Sequence, residues 1–593
     1  MCEGLIDRPL LSCGRCDAKH GDSVGVLPND VAVVLMPRTA PVLSDRPSSL
    51  TKDAAKEAVS ILGLSLPMIM TGLILYVRPM ISMLFLGRLG ELALAGGSLA
   101  MGFANITGYS VLSGLASGME PVCGQAVGAK NLPLVGATMQ RMVLFLLAVS
   151  VPVAFLWTQM EPLLLLCGQE AAVSATAQRY ILFCVPDLLF QSILHPLRIY
   201  LRTQSINLPI TTCAMVAVAV HLPINYFLVS VLGLGIEGVA LASAWTNLNL
   251  VLFLLAYVYV SGVHRDTGGF SLSYTLFKDD VAGWVRLGRL AVESCISVCL
   301  EWWWYEIMIL LCGLLANPEA TVASMGVLIQ TTSLLYIFPS SLSFGVSTRV
   351  SNELGANRPA AARAAATAGI SLSMLQGVVS CLFAVAVRSM WARMFTSDAA
   401  ILALTASVLP ILGLCELGNC PQTTGCGVLR GSARPKDGAR VNLGAFYGVG
   451  MPVALGLAFW AGMDFRGLWL GLLAAQATCV AIMLVVIGRT DWERQAELAQ
   501  VLAGVVEDDD VESGRGGAYV NVDDGKVDAG ERVKVAAPHG DEDSSLLSTV
   551  GGVRLTGPTL LTTGGRRPTD QVAGHSRTCQ TQNFPAELFL FVA

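Results

Sequence analysis

Gly118-Met-Glu-Pro-Val-Cys-Gly-Gln-Ala-Val-Gly-Ala129 returns 227 residues later as Gly345-Val-Ser-Thr-Arg-Val-Ser-Asn-Glu-Leu-Gly-Ala356. Other matches follow at nearly the same offset. Leu201-Arg202 pairs with Leu429-Arg430, Pro223 with Pro452, and Gly235-x-x-Gly238 with Asp464-x-x-Gly467. Chance likeness between Gly/Ala-rich segments does not hold register this often. The chain is read as two copies of one unit.

Each copy is built from apolar stretches. Of 593 residues, 53 % are hydrophobic and only 14 % charged, where a soluble domain carries about 25 % charged residues. A soluble core of this size cannot hide so much apolar surface. The spans expected in the first copy are Ala58–Leu86, Leu92–Met119, Met142–Cys167, Tyr180–His195, Pro209–Val231 and Val239–Val263. In the second they are Leu290–Leu315, Thr321–Val346, Ala364–Trp391, Ala400–Cys420, Val441–Met463 and Leu468–Gly488. Most are near the ~20 residues that cross ~30 Å of hydrocarbon as a helix, and only helices satisfy every backbone group there. Six spans separate the copies, an even number, so both insert the same way up. The expected fold class is an all-α polytopic membrane protein, with twelve transmembrane helices in two six-helix lobes related by a parallel internal repeat. The expected divisions are a disordered N-terminal tail at 1–55, an N-lobe at 56–265, a linker at 266–289, a C-lobe at 290–490 and a disordered acidic, Gly/Thr-rich tail at 491–593.

Charge sets the orientation. With the N-terminus inside, inner segments hold about 19 Lys and Arg, among them Lys130, Arg202, Arg286, Arg349 and Arg430, while outer loops hold about five. Both termini are expected in the cytoplasm. The C-terminal acidic runs, such as Glu507-Asp508-Asp509-Asp510, read as solvated. No secretory signal is read in the first 55 residues. Most cysteines sit in apolar runs as small hydrophobes. Cys13-x-x-Cys16 with His20 is half a zinc pattern without a second ligand pair, so no metal is expected. There is no Walker A sequence, nucleophile or other catalytic constellation. The chain is not read as an enzyme, and ATP is not expected to drive it directly.

Carboxylates at membrane depth cost ~2.5–3.5 kcal/mol each on insertion scales, so their presence points to passage of something polar or cationic. Glu301 falls near the middle of span seven with no basic neighbour within a helical turn. It reads as a proton or cation site, the alternative being a structural hydrogen bond across helices. Glu293 lies four residues after Arg289 and reads as its ion-pair partner. Glu306 is five positions beyond Glu301, about 140° around the helix, so the two cannot share one narrow face. Between them run Trp302-Trp303-Trp304-Tyr305, of which one or two rings, Trp304 and Tyr305, are candidates to meet a cationic substrate. In span ten Glu416, Asn419, Cys420 and Thr423 form one polar stripe at i, i+3, i+4 and i+7. Glu416 is the second candidate proton site, and Asn419 and Thr423 are candidate cavity residues. In the first lobe Asp187 follows Pro186, Gln191 lies a turn on, and Asn225 follows Pro223. Prolines mark bends beside cavities, and these three are read as pathway residues. Arg78, before Pro79, is expected to be buried, with no partner evident from the sequence. Glu120 and Glu353 are placed in equivalent inner loops, for helix capping or inter-lobe ion pairing.

Glu120-Pro121-x-Cys123-Gly124-Gln125-Ala126-x-Gly128-Ala129 resembles the loop after the second span of MATE (multidrug and toxic compound extrusion) transporters. Pro196-Leu-Arg-x-Tyr200-Leu-Arg-x-Gln204, Cys299-Leu-Glu301-Trp-Trp-Trp-Tyr305-Glu306 and Gly427-Val-Leu-Arg430-Gly431 are similar to its later signatures, in the version of the plant DETOXIFICATION branch. The resemblance covers about residues 52–495. It implies an antiporter exporting organic cations, secondary metabolites, hormones, xenobiotics or organic acids against H⁺, less often Na⁺, with no other cofactor. It also implies that both Glu301 and Glu306 are cavity glutamates. Two departures limit the carry-over. Some relatives have an acid where Asn419 stands, and some have a glutamate where Val322 stands. The expected partners are a small organic substrate and the bilayer, with no nucleic acid, and a monomer is expected. Plasma, vacuolar and endosomal membranes all fit. Rival readings are a lipid or lipid-linked-sugar flippase, a transceptor or signalling scaffold, and a passive channel.

Overall fold

A computed structural model describes residues 47–269 and 281–506, with side chains from 55 onward. Among the described residues, twelve helices are long and apolar enough to cross a membrane. The first six are α1 Ala55–Leu89, α2 Glu91–Gly128, α3 Leu132–Thr158, α4 Ala171–Thr203, α5 Leu208–Val231 and α6 Gly235–Ser261. The second six are α7 Val281–Cys312, α8 Pro318–Gly355, α9 Pro359–Val387, α10 Ala399–Gly431, α11 Pro435–Trp460 and α12 Asp464–Gly488. A thirteenth, α13 Trp492–Leu502, follows. No strand occurs among the described residues. Polar residues reach inward on otherwise apolar helices, while Leu, Val and Phe side chains point outward, as at Val151, Phe155, Leu375 and Leu382. That inversion is what a lipid surround permits.

Two separate apolar cores mark the lobes. One is built from α1–α6, with Leu287 and Ala291 of α7 reaching into it. The other runs from Trp304 to Met483 within α7–α12. The lobes meet along α1 and α8, where Tyr76 donates to Gln330 Oε1 at 2.8 Å, and again at the basic end, the end of the bundle that carries most of the arginines. There the repeated motif does its work. A side chain added at Gly128 would run into the backbone of Asn352, and one at Gly355 into the backbone of Gln125. Gly128 and Gly355 are repeat mates, as are Gln125 and Asn352. The contact is therefore two-fold symmetric about the axis relating the lobes, and only glycine allows the α2 and α8 backbones to approach so closely.

Several helices run past their expected ends, most of all at the basic end. α2, α4, α8 and α10 continue to Gly128, Thr203, Gly355 and Gly431. The charged residues that close an apolar window here are paired inside protein, so they do not stop the helix. Glu120 and Glu353 are thus corrected from loops to buried helical positions. Span three shifts to Leu132–Thr158, because Pro133 suits the first turn and a second short helix, Met160–Leu166, takes the outer part of the expected window. The first helix already begins at Pro47, inside the expected tail. The expected C-terminal tail also starts later than 491. Asp491 caps α13 by accepting from the Arg494 amide, and Trp492, Ala496 and Ala499 bury its apolar face. The acidic and Gly/Thr-rich remainder, and the Cys13-x-x-Cys16 pair, lie outside the described residues.

Candidate functional site

The C-lobe interior is built where α7, α8, α10, α11 and α12 face one another. Glu301 on α7 is 9 % exposed. The Gln422 side-chain amide donates to its carboxylate at 3.5 Å and to Asn442 Oδ1 at 3.3 Å, and the Tyr336 hydroxyl of α8 also reaches it. Asn442 in turn donates to the Ser297 carbonyl at 3.3 Å. A stretch of wider π-helical winding starts directly after it, at Leu443–Gly450. Glu301, Tyr336, Thr423 and Arg430 line one cavity of about 40 Å³, large enough for water. Pro421 adjoins this part of α10, where it removes one backbone donor from the helix.

Glu416 is 2 % exposed. Asn419 Nδ2 donates to both its oxygens, at 3.1 and 3.3 Å, Cys420 Sγ donates at 3.5 Å, and Gln476 of α12 donates to Asn419 Oδ1 at 3.4 Å. Glu416, Asn419 and Cys420 of the α10 stripe are therefore joined in one network, whereas Thr423 donates to Gln422 Oε1 at 3.4 Å, on the Glu301 side. Tyr305 lies within electrostatic reach of both Glu301 and Glu416, so the structure brings these three together. Neither carboxylate has a Lys, Arg or His within ion-pair distance among the described residues. Glu306 is different: it is partly exposed, on another face of α7, away from the Gln422–Asn442 network. Trp304, read as a cavity residue, is corrected to a packing residue. It is fully buried against Phe446 and Tyr447, with ring centroids 5.6 and 6.1 Å apart. Trp302 and Trp303 are 48 % and 43 % exposed on the outer surface. Glu293 pairs with Arg289 at 3.2 Å.

The N-lobe holds a second polar interior. Arg78 Nη1 donates to Asn247 Oδ1 at 2.6 Å, and Asn247 Nδ2 donates to Asp187 Oδ1 at 2.7 Å. Tyr109 and Gln191 also hydrogen-bond Asp187. Beside them His221, fully buried, joins Thr246 at 2.7 Å, Ser82 at 3.2 Å and Asn225 at 3.0 Å. Asp187, Gln191 and Asn225 thus do sit in one lobe interior, but Asn225 is committed to the histidine ring. Asn247, His221 and Tyr109 are absent from the sequence-based site. Asn247 and His221 lie in long apolar runs, and the spacing of α5 and α6 alone does not say which polar residue faces Arg78.

At the basic end the lobes are tied by charge. Arg202 donates to Glu120 at 2.9 Å, and Arg430 stands 4.0 Å from the same oxygen. Arg349 bridges Glu57 and Glu353, both at 2.8 Å. Inter-lobe ion pairing, one of the two roles read for Glu120, is what it performs.

Two lobes with the same six-helix plan, each enclosing ionisable side chains in an apolar bundle, define a duplicated polytopic membrane transporter. The MatE family model matches the chain twice, at residues 67–227 and 294–455, an offset equal to that of the repeat. The chain is 62 % identical over 449 residues to Protein DETOXIFICATION 49 of Arabidopsis thaliana, covering 75 % of this chain and 88 % of that protein. Protein DETOXIFICATION 48 of the same plant is 59 % identical over 450 residues, covering 76 % and 84 %. The crystal structure of the eukaryotic MATE transporter AtDTX14 matches with a TM-score of 0.72 at 32 % identity, over 76 % of this chain and all of that one. The Vibrio cholerae MATE transporter VcmN shares the fold, with a TM-score of 0.65 at 17 % identity. The chain belongs to the MATE family of membrane transporters, and its relatives are named as transporters rather than enzymes.

Proposed function

We propose that this protein is a proton-coupled antiporter moving small organic cations, secondary metabolites, hormones or xenobiotics out of the cytoplasm by alternating access. The observation that carries the reading is the surroundings of Glu301. A carboxyl group 9 % exposed in an apolar bundle is held by neutral amide and hydroxyl groups. Such a group can be charged or neutral without dismantling a salt bridge, which is what a reversible proton site requires. Glu416, held by Asn419 and Cys420, is the second such site, and Glu306 a more open third. Tyr305, Asn419 and Thr423 supply polar contacts for substrate in the C-lobe. The Asp187–Asn247–Arg78 chain keeps the facing N-lobe interior charge-balanced. The positive-inside rule assigns the basic end to the cytoplasm. The protein acts as a monomer, because each chain holds both lobes.

Proteoliposomes loaded with a fluorescent organic cation test this reading. Exchange driven by an imposed pH gradient, and not by a Na⁺ gradient of equal size, is the expected outcome. Exchange driven by Na⁺ alone would transfer the carboxylates to sodium, and no movement under either gradient would remove the antiport reading.

A further inference from the structure

Arg430 stands between carboxylates of different lobes. On one side it is 4.0 Å from Glu120 of the N-lobe, whose same oxygen accepts from Arg202 at 2.9 Å. Arg202 and Arg430 are repeat mates, and their guanidinium carbons lie 3.9 and 5.4 Å from the centroid of the Phe344 ring. Arg430 also donates to Ser343 Oγ at 3.0 Å. On the other side it lines the same small cavity as Glu301, and its charge acts on that carboxyl group. Its side chain is 14 % exposed. Two arginines therefore share Glu120, and Arg198 adds a third positive charge beside Arg202, so the cluster carries excess positive charge that an ionised Glu301 offsets from the side of Arg430. The other titratable groups near Glu301 are Tyr305 on α7, Tyr336 on α8, Cys426 and Glu416 on α10, and Cys479 on α12. Of these, Glu416 is the one that ordinarily carries a charge in the neutral range. Glu416 has its own amide cradle, and Glu301 alone shares a cavity with Arg430.

We propose that Arg430 carries the protonation state of Glu301 to the lobe seam: ionised Glu301 holds the cytoplasmic side closed, and its protonation releases it. This rests on Glu301 being the proton site. The sign follows from screening. With the seam closed, Arg430 is largely dry, and its attraction to an ionised Glu301 is strong. With the seam open, water surrounds the guanidinium and weakens that attraction. Ionised Glu301 therefore stabilises the closed seam more than the open one. Neutral Glu301 leaves a buried, unbalanced positive charge, which hydration on opening relieves. A proton arriving from outside then favours opening to the inside, the direction an exporter needs for its return step. Arg430 touches no substrate in this scheme; it is a positioning residue.

A mutant cycle at one pH tests the link on the full-length protein in lipid nanodiscs. Glu301→Gln serves as the permanently neutral form. Hydrogen exchange is read in peptides covering 119–131 and 345–358 at the seam, with peptides from the lobe interiors reporting folding. Glu301→Gln should raise seam exchange by on the order of fivefold, the scale of one lost, partly buried charge contact. In an Arg430→Gln background it should add nothing, and in an Arg430→Lys background the rise should return. An equal rise with and without the arginine charge, or no rise at all, overturns the proposal. Because the readout needs no transport, it stays distinct from the proteoliposome result. A protein that exchanges substrate on a pH gradient but shows no coupled rise keeps its function and loses this link.

Discussion

Asn247 carries more than its size indicates. It accepts from Arg78 and donates to Asp187, so one neutral amide bridges the half-buried Arg78 and the buried Asp187. Replacing it with leucine, similar in volume, removes this bridge, at about 1–3 kcal/mol in all, since Asp187 keeps its bonds from Tyr109 and Gln191. Asn247→Leu should lower the thermal midpoint in detergent, whereas Asn249→Leu on the same helix should not. In the C-lobe, Glu301→Gln should cut pH-driven exchange by on the order of tenfold or more while leaving the protein folded. Glu306→Gln should cut it less, since Glu306 is more exposed and stands outside the Gln422–Asn442 network. Equal losses in the two variants would show that neither burial nor the Gln422–Asn442 network sets the role. Glu301, Glu416 and the α10 stripe were legible in the sequence because a lone acid in an apolar run has few alternative explanations. Arg78's partner was not, because it is 169 positions away and asparagine is common enough in apolar helices to carry no signal.

Helix ends were less legible than helices. Hydropathy falls at Glu120, Arg202, Glu353 and Arg430, yet α2, α4, α8 and α10 pass through all four, since each charge meets its partner inside protein. A window average counts a charge as exposed whether or not an opposite charge faces it. α13 was missed for the related reason that it is short and its polar face is long. Its apolar face nonetheless joins the apolar cluster of Val346, Val350 and Leu354 on α8 and Ala362 on α9. Gln500 donates to the carbonyls of Leu354 and Gly355, at 3.2 and 2.9 Å, and Asn131 of the N-lobe donates to the Ala503 carbonyl at 2.9 Å. α13 therefore touches both lobes. Trp492→Ala should destabilise by about 3 kcal/mol, the usual scale for a buried tryptophan. Asn131→Ala should leave the thermal midpoint nearly unchanged while raising exchange at the seam, because it severs the link to one lobe alone.

At the scale of the whole molecule, the duplication is functional as well as ancestral. Gly128 on Asn352 and Gly355 on Gln125 are the same contact made twice, and Arg202 and Arg430 are the same arginine used twice on one glutamate. Symmetry predicts that Gly128→Val and Gly355→Val have matching effects. Each forces the α2 and α8 ends apart, and each should shift the population toward a conformation open at the basic end, seen as raised protease access there. A large effect in one and none in the other would show that the lobes do not move about their shared axis. The repeat was readable at the outset because a close backbone crossing keeps its glycines. Which face of the crossing holds the ion pairs was not, since the two copies have diverged there to Glu120 in one and Ser347 in the other.

α13 also bears on how the protein is made. It leaves the ribosome after all twelve spans, yet its hydrogen-bonding partners lie near Asn131 and Leu354, laid down much earlier. Until that last helix arrives, the inserted lobes are held together at the basic end by the glycine crossings and the Glu57 and Glu120 ion pairs without it. A newly inserted transporter would pass through an interval in which the tie made by α13 is missing. Fusing a bulky domain directly after Leu502 would prolong that interval, whereas a spacer of several residues would restore its normal length.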